Sequence, residues 1–129
     1  MEASLGRVIL LVDDYDEAYD FYHKNFFCSK IYDQTTSDGQ RFLHIRFNEN
    51  DHAGIWFLQA DSSRQRELVG RQTGGQPTLV LYTADCHGFY QHLQDTGVTI
   101  VEPITTALNS TYFHCQDLYG NKIIVVELI

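Results

Sequence analysis

Proline, methionine, tryptophan and paired cysteine are all scarce in this chain of 129 residues. Two prolines and nine glycines are too few for a fibrous or disordered sequence. Three cysteines, Cys28, Cys86 and Cys115, stand alone with no CxxC between them, which argues against a disulfide framework and against a zinc–cysteine site. Unpaired thiols suit a reducing cytoplasm. Long apolar runs are missing too. The longest, Val8 to Val12, cannot span a bilayer, and Met1 to Arg7 lacks the pattern of a secretory signal. Basic charge is short: 9 Lys and Arg stand against 17 Asp and Glu, a net charge of -8. No basic stripe is available to displace counterions from a phosphate backbone, so nucleic acid is a poor partner, and an anionic membrane surface is another. A cationic or neutral small molecule is easier to accommodate. Catalytic signatures are equally absent. There is no GxSxG, HExxH, phosphate loop or dinucleotide fingerprint, and the carboxylates form no recognisable acid–base pair.

What is present is hydrophobic patterning that occurs twice. Val8 to Val12 predicts a short strand buried on both faces. Tyr15, Ala18, Tyr19, Tyr22 and Phe26 then share one helical face, with Asp14 as N-cap and Glu17 as its capping-box partner. Strands are predicted over Ser29–Thr35, Arg41–Phe47 and Gly54–Gln59. In the second of these, Leu43, Ile45 and Phe47 alternate with Phe42, His44 and Arg46. Residues 60–76 are polar and Gly-containing, and they carry Arg64, Arg66 and Arg71; they are expected to link two modules, with a short helix possible over Arg64–Val69.

The order then repeats. Pro77–Thr83 predicts a strand. Cys86, Phe89, Tyr90 and Leu93 predict a helix, capped by Thr83 or Asp85 and closed by Gly97. Val98–Val101 is a strand that ends at Glu102-Pro103. Thr111–Gln116 and Lys122–Leu128 are the last two strands. The chain is therefore expected to be α+β, with two β-α-β-β-β modules, 5–59 and 77–129, forming one domain. Two curved sheets facing each other would enclose a shared cavity, a natural small-molecule site.

Val12-Asp13-Asp14 with Phe21-Tyr22 is echoed by Tyr82-x-x-Asp85 with Phe89-Tyr90, and Asp117-Leu118-Tyr119-Gly120-Asn121 forms a turn before the final strand. On these residues, from about Arg7 to Leu128, the chain resembles the vicinal oxygen chelate superfamily of glyoxalases, bleomycin-resistance proteins and extradiol dioxygenases. Asp117, Gly120 and Asn121 match the family's turn, whereas Leu118 and Tyr119 depart from it. The resemblance implies a fold, and more weakly a function, because this fold hosts several chemistries.

Enzymes of that superfamily hold a divalent metal with one ligand from each of four strands. The resemblance places those ligands at Arg7, Trp56, Thr78 and Ile124. Arg is always cationic, Trp and Ile offer no donor, and a lone Thr hydroxyl is a weak ligand, so no metal and no cofactor is expected. Of the six histidines, only His44 and His114 sit on strands where they could face inward. The expected ligand-binding residues are Arg7, Phe42, His44, Trp56, Thr78, Tyr82, Tyr112 and His114, an aromatic wall with a few polar groups.

The resemblance to the metal-independent bleomycin-resistance proteins implies a cytoplasmic homodimer linked to antibiotic resistance, one that sequesters a cationic or aromatic small molecule. Whether it is also an enzyme stays open. The alternative is a metal-dependent lyase, transferase or dioxygenase with displaced ligands; a third is a scaffold whose pocket is vestigial.

Overall fold

The computed structural model describes residues 1–129. Its elements follow in the order β1 (Arg7–Val12), α1 (Tyr15–Phe26), β2 (Ser29–Thr35), β3 (Arg41–Arg46), β4 (Gly54–Gln59), α2 (Ser63–Leu68), β5 (Pro77–Tyr82), α3 (Cys86–Asp95), β6 (Ile100–Thr106), β7 (Ser110–Gln116) and β8 (Lys122–Leu128). The chain forms two compact units, residues 1–67 and 68–129. Each holds one four-stranded mixed sheet, in the order β1-β4-β3-β2 in the first and β5-β8-β7-β6 in the second. The α+β class and the tandem β-α-β-β-β modules are thus as the repeat predicts. The short helix α2 falls within the polar segment between the modules. No helix is long and apolar enough to cross a membrane.

In the first unit, the Asp14 carboxylate accepts a hydrogen bond from the Glu17 N–H at 2.9 Å and starts α1. The spacing of Ala18, Tyr22 and Phe26 puts all three on the buried face. They cover a sheet face made of Leu10, Val12, Leu43, Ile45, Ile55 and Phe57, which are likewise buried. Tyr22 and Phe57 meet with ring centroids 5.7 Å apart, and each such side chain contributes about 1.5–3 kcal/mol by leaving water. Because side chains alternate along a strand, the same burial commits Arg7, Ile9, Leu11, Phe42, His44, Arg46, Trp56 and Leu58 to the opposite face.

The second unit repeats the construction. Asp85, not Thr83, caps α3 by accepting from the Gly88 N–H at 2.9 Å. Cys86 and Leu93 bury against Phe113, Cys115, Ile123 and Val125, and Tyr90 meets Phe113 edge-on at 5.0 Å. The turn before β8 is held by Asp117. Its Oδ1 accepts from the backbone N–H of Tyr119 and of Asn121, and its Oδ2 accepts from the Asn121 side-chain amide, all at 2.9 Å.

Two expectations need correction. β1 is not buried on both faces: Val8 and Ile9 are 41% and 48% exposed, because β1 is the edge of its sheet. β6 does not end at Glu102-Pro103 but continues to Thr106. It too is an edge strand, where proline's missing N–H costs no ladder bond, and the register shifts between Glu102 and Thr105 to absorb the ring.

Candidate functional site

The open face of the first sheet is built in rows across its strands. Trp56 on β4 lies opposite Ile9 on β1 and opposite His44 on β3, and His44 lies opposite Tyr32 on β2. The imidazole of His44 sits 5.0 Å from the Trp56 ring and 5.7 Å from Tyr32. Phe42, two residues before His44, contacts Trp56 at 5.7 Å. Four rings therefore tile one surface.

Polar groups on this face have a definite order. Arg7 donates from Nε to His44 Nδ1 at 3.1 Å, and its Nη1 donates to the carbonyls of Gly6 at 2.7 Å and His52 at 3.2 Å. With Nδ1 accepting, the neutral imidazole carries its proton on Nε2. Burial, reinforced by the positive charge of Arg7, lowers the pKa of His44, so the ring is neutral at pH 7. Its Nε2 is buried and has no partner in the protein; neither does Trp56 Nε1, nor Arg46 Nε farther along β3 on the same face. No strand carboxylate shares the face. Asp33 pairs with Leu43 and so points to the helix side, where it engages Arg41 at 3.0 Å and Lys30 at 2.8 Å.

The second sheet has a matching row. Ile124 on β8 lies opposite Val80 on β5 and opposite His114 on β7, and His114 lies opposite Glu102 on β6. His114 thus faces away from the helix, with Nε2 3.3 Å from Glu102 Oε2 and Tyr112 5.8 Å away. Tyr82 and Tyr112 flank Val126 in the next row. Thr78 sits in the irregular register between Pro77 and Leu79 and touches the Thr73 hydroxyl at 3.4 Å.

Strand registers relate the two units position by position. Ile9, Trp56 and His44 occupy in the first sheet the places of Val80, Ile124 and His114 in the second. Arg7, Phe42, His44 and Trp56 form one cluster in residues 1–67; Thr78, Tyr82, Tyr112 and His114 belong to the face of the other unit. Three contributors escaped the sequence reading of the site. Arg46 was visible as the next alternate residue after His44. Tyr32 gave no signal without the β2–β3 register. Glu102 was hidden because a proline follows it.

The positions that the resemblance assigns to metal ligands hold a guanidinium and an indole in the first unit, at Arg7 and Trp56, and a hydroxyl and a sec-butyl group in the second, at Thr78 and Ile124, none of them a good ligand. No group of three or more His, Cys, Asp or Glu side chains is placed to hold an ion. A concavity of about 140 Å³ opens between Tyr15, Arg41, Leu58 and Asp61. It is smaller than a drug-sized ligand requires, and Arg41 there is already committed to Asp33 and Asp16.

A family model for the Glyoxalase/Bleomycin resistance protein/Dioxygenase superfamily matches residues 4–125. The chain belongs to that superfamily. A relative, an uncharacterized protein of Shewanella frigidimarina (strain NCIMB 400), is 30% identical over 122 residues, covering 94% of this chain and 90% of its own. Among solved structures, UcmS2 superposes with a TM-score of 0.84 at 22% identity, covering 98% of both chains. TnmS3, an antibiotic binding protein from Streptomyces sp. CB03234, superposes at 0.80 with 18% identity, covering 99% of this chain and 98% of its own. At these identities the likeness to UcmS2 and TnmS3 is one of fold.

Proposed function

We propose that this superfamily member is a binding protein that sequesters a planar aromatic small molecule, of the size and kind of an antibiotic, without a metal ion. The observation that carries the reading is the substitution of chemistry at Trp56. Where the superfamily's enzymes would supply a ligand atom to a metal, this chain presents an indole beside Phe42, His44 and Tyr32. Such a surface stacks a flat ring system, and aromatic pairs add about 0.5–1.5 kcal/mol beyond the area they bury. The description of TnmS3 as an antibiotic binding protein supports the same reading for a chain of this fold.

The cytoplasm fits the three buried free thiols. A homodimer fits the edge strands, since β1 exposes Val8 and Ile9, and β5 exposes Val80 and Tyr82. Apolar side chains on an uncovered edge invite a second chain.

Titration of chelator-treated protein with a panel of aromatic antibiotics tests the reading, with the fluorescence of Trp56, the only tryptophan, as readout. The expected result is saturable quenching at a fixed stoichiometry, indifferent to added divalent metal, with the ligand recovered unchanged. Trp56→Ala should weaken binding about tenfold or more, as loss of a central aromatic anchor does. Consumption of the ligand, or binding that appears only with metal, would overturn it.

A further inference from the structure

Three N–H donors on the open face of the first sheet are buried without a protein acceptor: His44 Nε2, Trp56 Nε1 and Arg46 Nε. Buried donors are normally paired, because each one left unmade weakens the fold. Three on one sheet face are a concentration that needs a reason. They are also ordered relative to one another. His44 and Trp56 face each other across the β3–β4 register, and Arg46 is the next residue of that face along β3. The acceptor side of His44 is closed by Arg7, so the ring can only donate outward.

The charge balance points the same way. Lys30, Arg41 and His114 are each paired with a carboxylate, whereas neither Arg7 nor Arg46 has a carboxylate in ion-pair distance. A protein with a net charge of -8 thus keeps two guanidinium groups on one aromatic face outside its carboxylate ion pairs. A cationic ligand would meet repulsion there and would leave all three donors unmet. A ligand with oxygen acceptors at the edge of a flat ring would satisfy the donors while its rings lie against Phe42 and Trp56.

Building on the aromatic-binding reading above, we infer that the ligand of this face is a planar aromatic anion, an aryl carboxylate or phenolate. Its oxygens accept from His44, Trp56 and Arg46 once these side chains, covered in the free protein, turn toward it, and its charge is balanced by Arg7 and Arg46. The overall acidity of the chain is then a property of other surfaces, and charge selection at the site runs opposite to it.

Calorimetric titration with three probes that share one ring system tests this: 2-naphthoate, 2-naphthamide and 2-naphthylmethylammonium. The naphthoate should bind about tenfold more tightly than the ammonium, the effect of one or two charge-assisted hydrogen bonds, with the neutral amide between them. Arg46→Met and Trp56→Phe, the second of which keeps a ring but removes the donor, should each cost the naphthoate about fivefold or more and leave the ammonium within about twofold. Arg46→Met should at the same time keep or raise the melting temperature, since it removes an unsatisfied donor; this separates loss of recognition from loss of fold. Equal or tighter binding of the ammonium, or naphthoate affinity unmoved by both substitutions, would overturn the anion assignment and leave the aromatic-binding reading standing. Failure of all three probes at millimolar concentration would overturn both.

Discussion

Arg7 and His44 form a coupled pair whose protonation has a definite sign. Burial first, and the neighbouring guanidinium second, hold the imidazole below its ordinary range near 6.5. The folded state therefore binds fewer protons at His44 than the unfolded chain does, and this contribution to stability fades as the pH falls below about 6.5. Arg7→Met removes the charge and leaves burial in place. The His44 titration midpoint followed by NMR should rise, though not fully to the value of a free imidazole. A midpoint that stays put or falls would mean that Arg7 does not set the state of this ring. The cysteines behave differently. Burial pushes the Cys115 thiol up to about 12 and raises Cys28 and Cys86 as well, which disfavours the thiolate form at all three.

At the scale of elements, the turn preceding β8 does more than reverse the chain. Asp117 and Asn121 are buried, and they satisfy each other and the turn backbone. Gly70, following α2, packs directly on that turn: a Cβ at Gly70 would lie 1.9 Å from the Tyr119 carbonyl oxygen, and its φ of +79° already favours glycine. Gly70→Ala should therefore lower the urea unfolding free energy by about 2–4 kcal/mol. A loss of less than about 0.5 kcal/mol, the scale of an ordinary surface substitution, would show that the segment simply moves aside.

Elements also divide what the sequence could and could not reveal. Helices α1 and α3 were legible from their apolar spacing and from cap candidates that included Asp14 and Asp85, and β3 from strict alternation. The edges were not. A run such as Val8 to Val12 looks the same whether a strand is central or terminal, because neighbours in the sheet and not composition decide exposure. Pro103 misled for a related reason: proline stops a central strand but is tolerated on an edge, and the sequence does not announce which strand is an edge.

Across the whole chain, the internal repeat shows in the strand registers. The places of Ile9, Trp56 and His44 are those of Val80, Ile124 and His114, so the repeat seen in Phe21-Tyr22 and Phe89-Tyr90 extends to the open faces. The repeat was readable because cores preserve pattern; the contacts made on the faces were not, because they depend on which atoms meet. Arg7 donating to His44, the three unmet donors, and the pairing of His114 with Glu102 all arise from strand registers tens of residues apart. Composition and local charge differ most at this scale. A net charge of -8 favours cationic partners on average, whereas the face that carries the aromatic residues is locally positive.

The central claim is that this superfamily member retains a ligand and neither transforms it nor requires a metal to hold it. Native mass spectrometry of the untagged protein taken directly from the cells that produce it tests this most directly. The expected result is a homodimer carrying a small organic molecule at fixed stoichiometry, released intact on denaturation, with no divalent metal in the assembly. A stoichiometric metal in the native mass, lost together with the ligand on chelation, would contradict it.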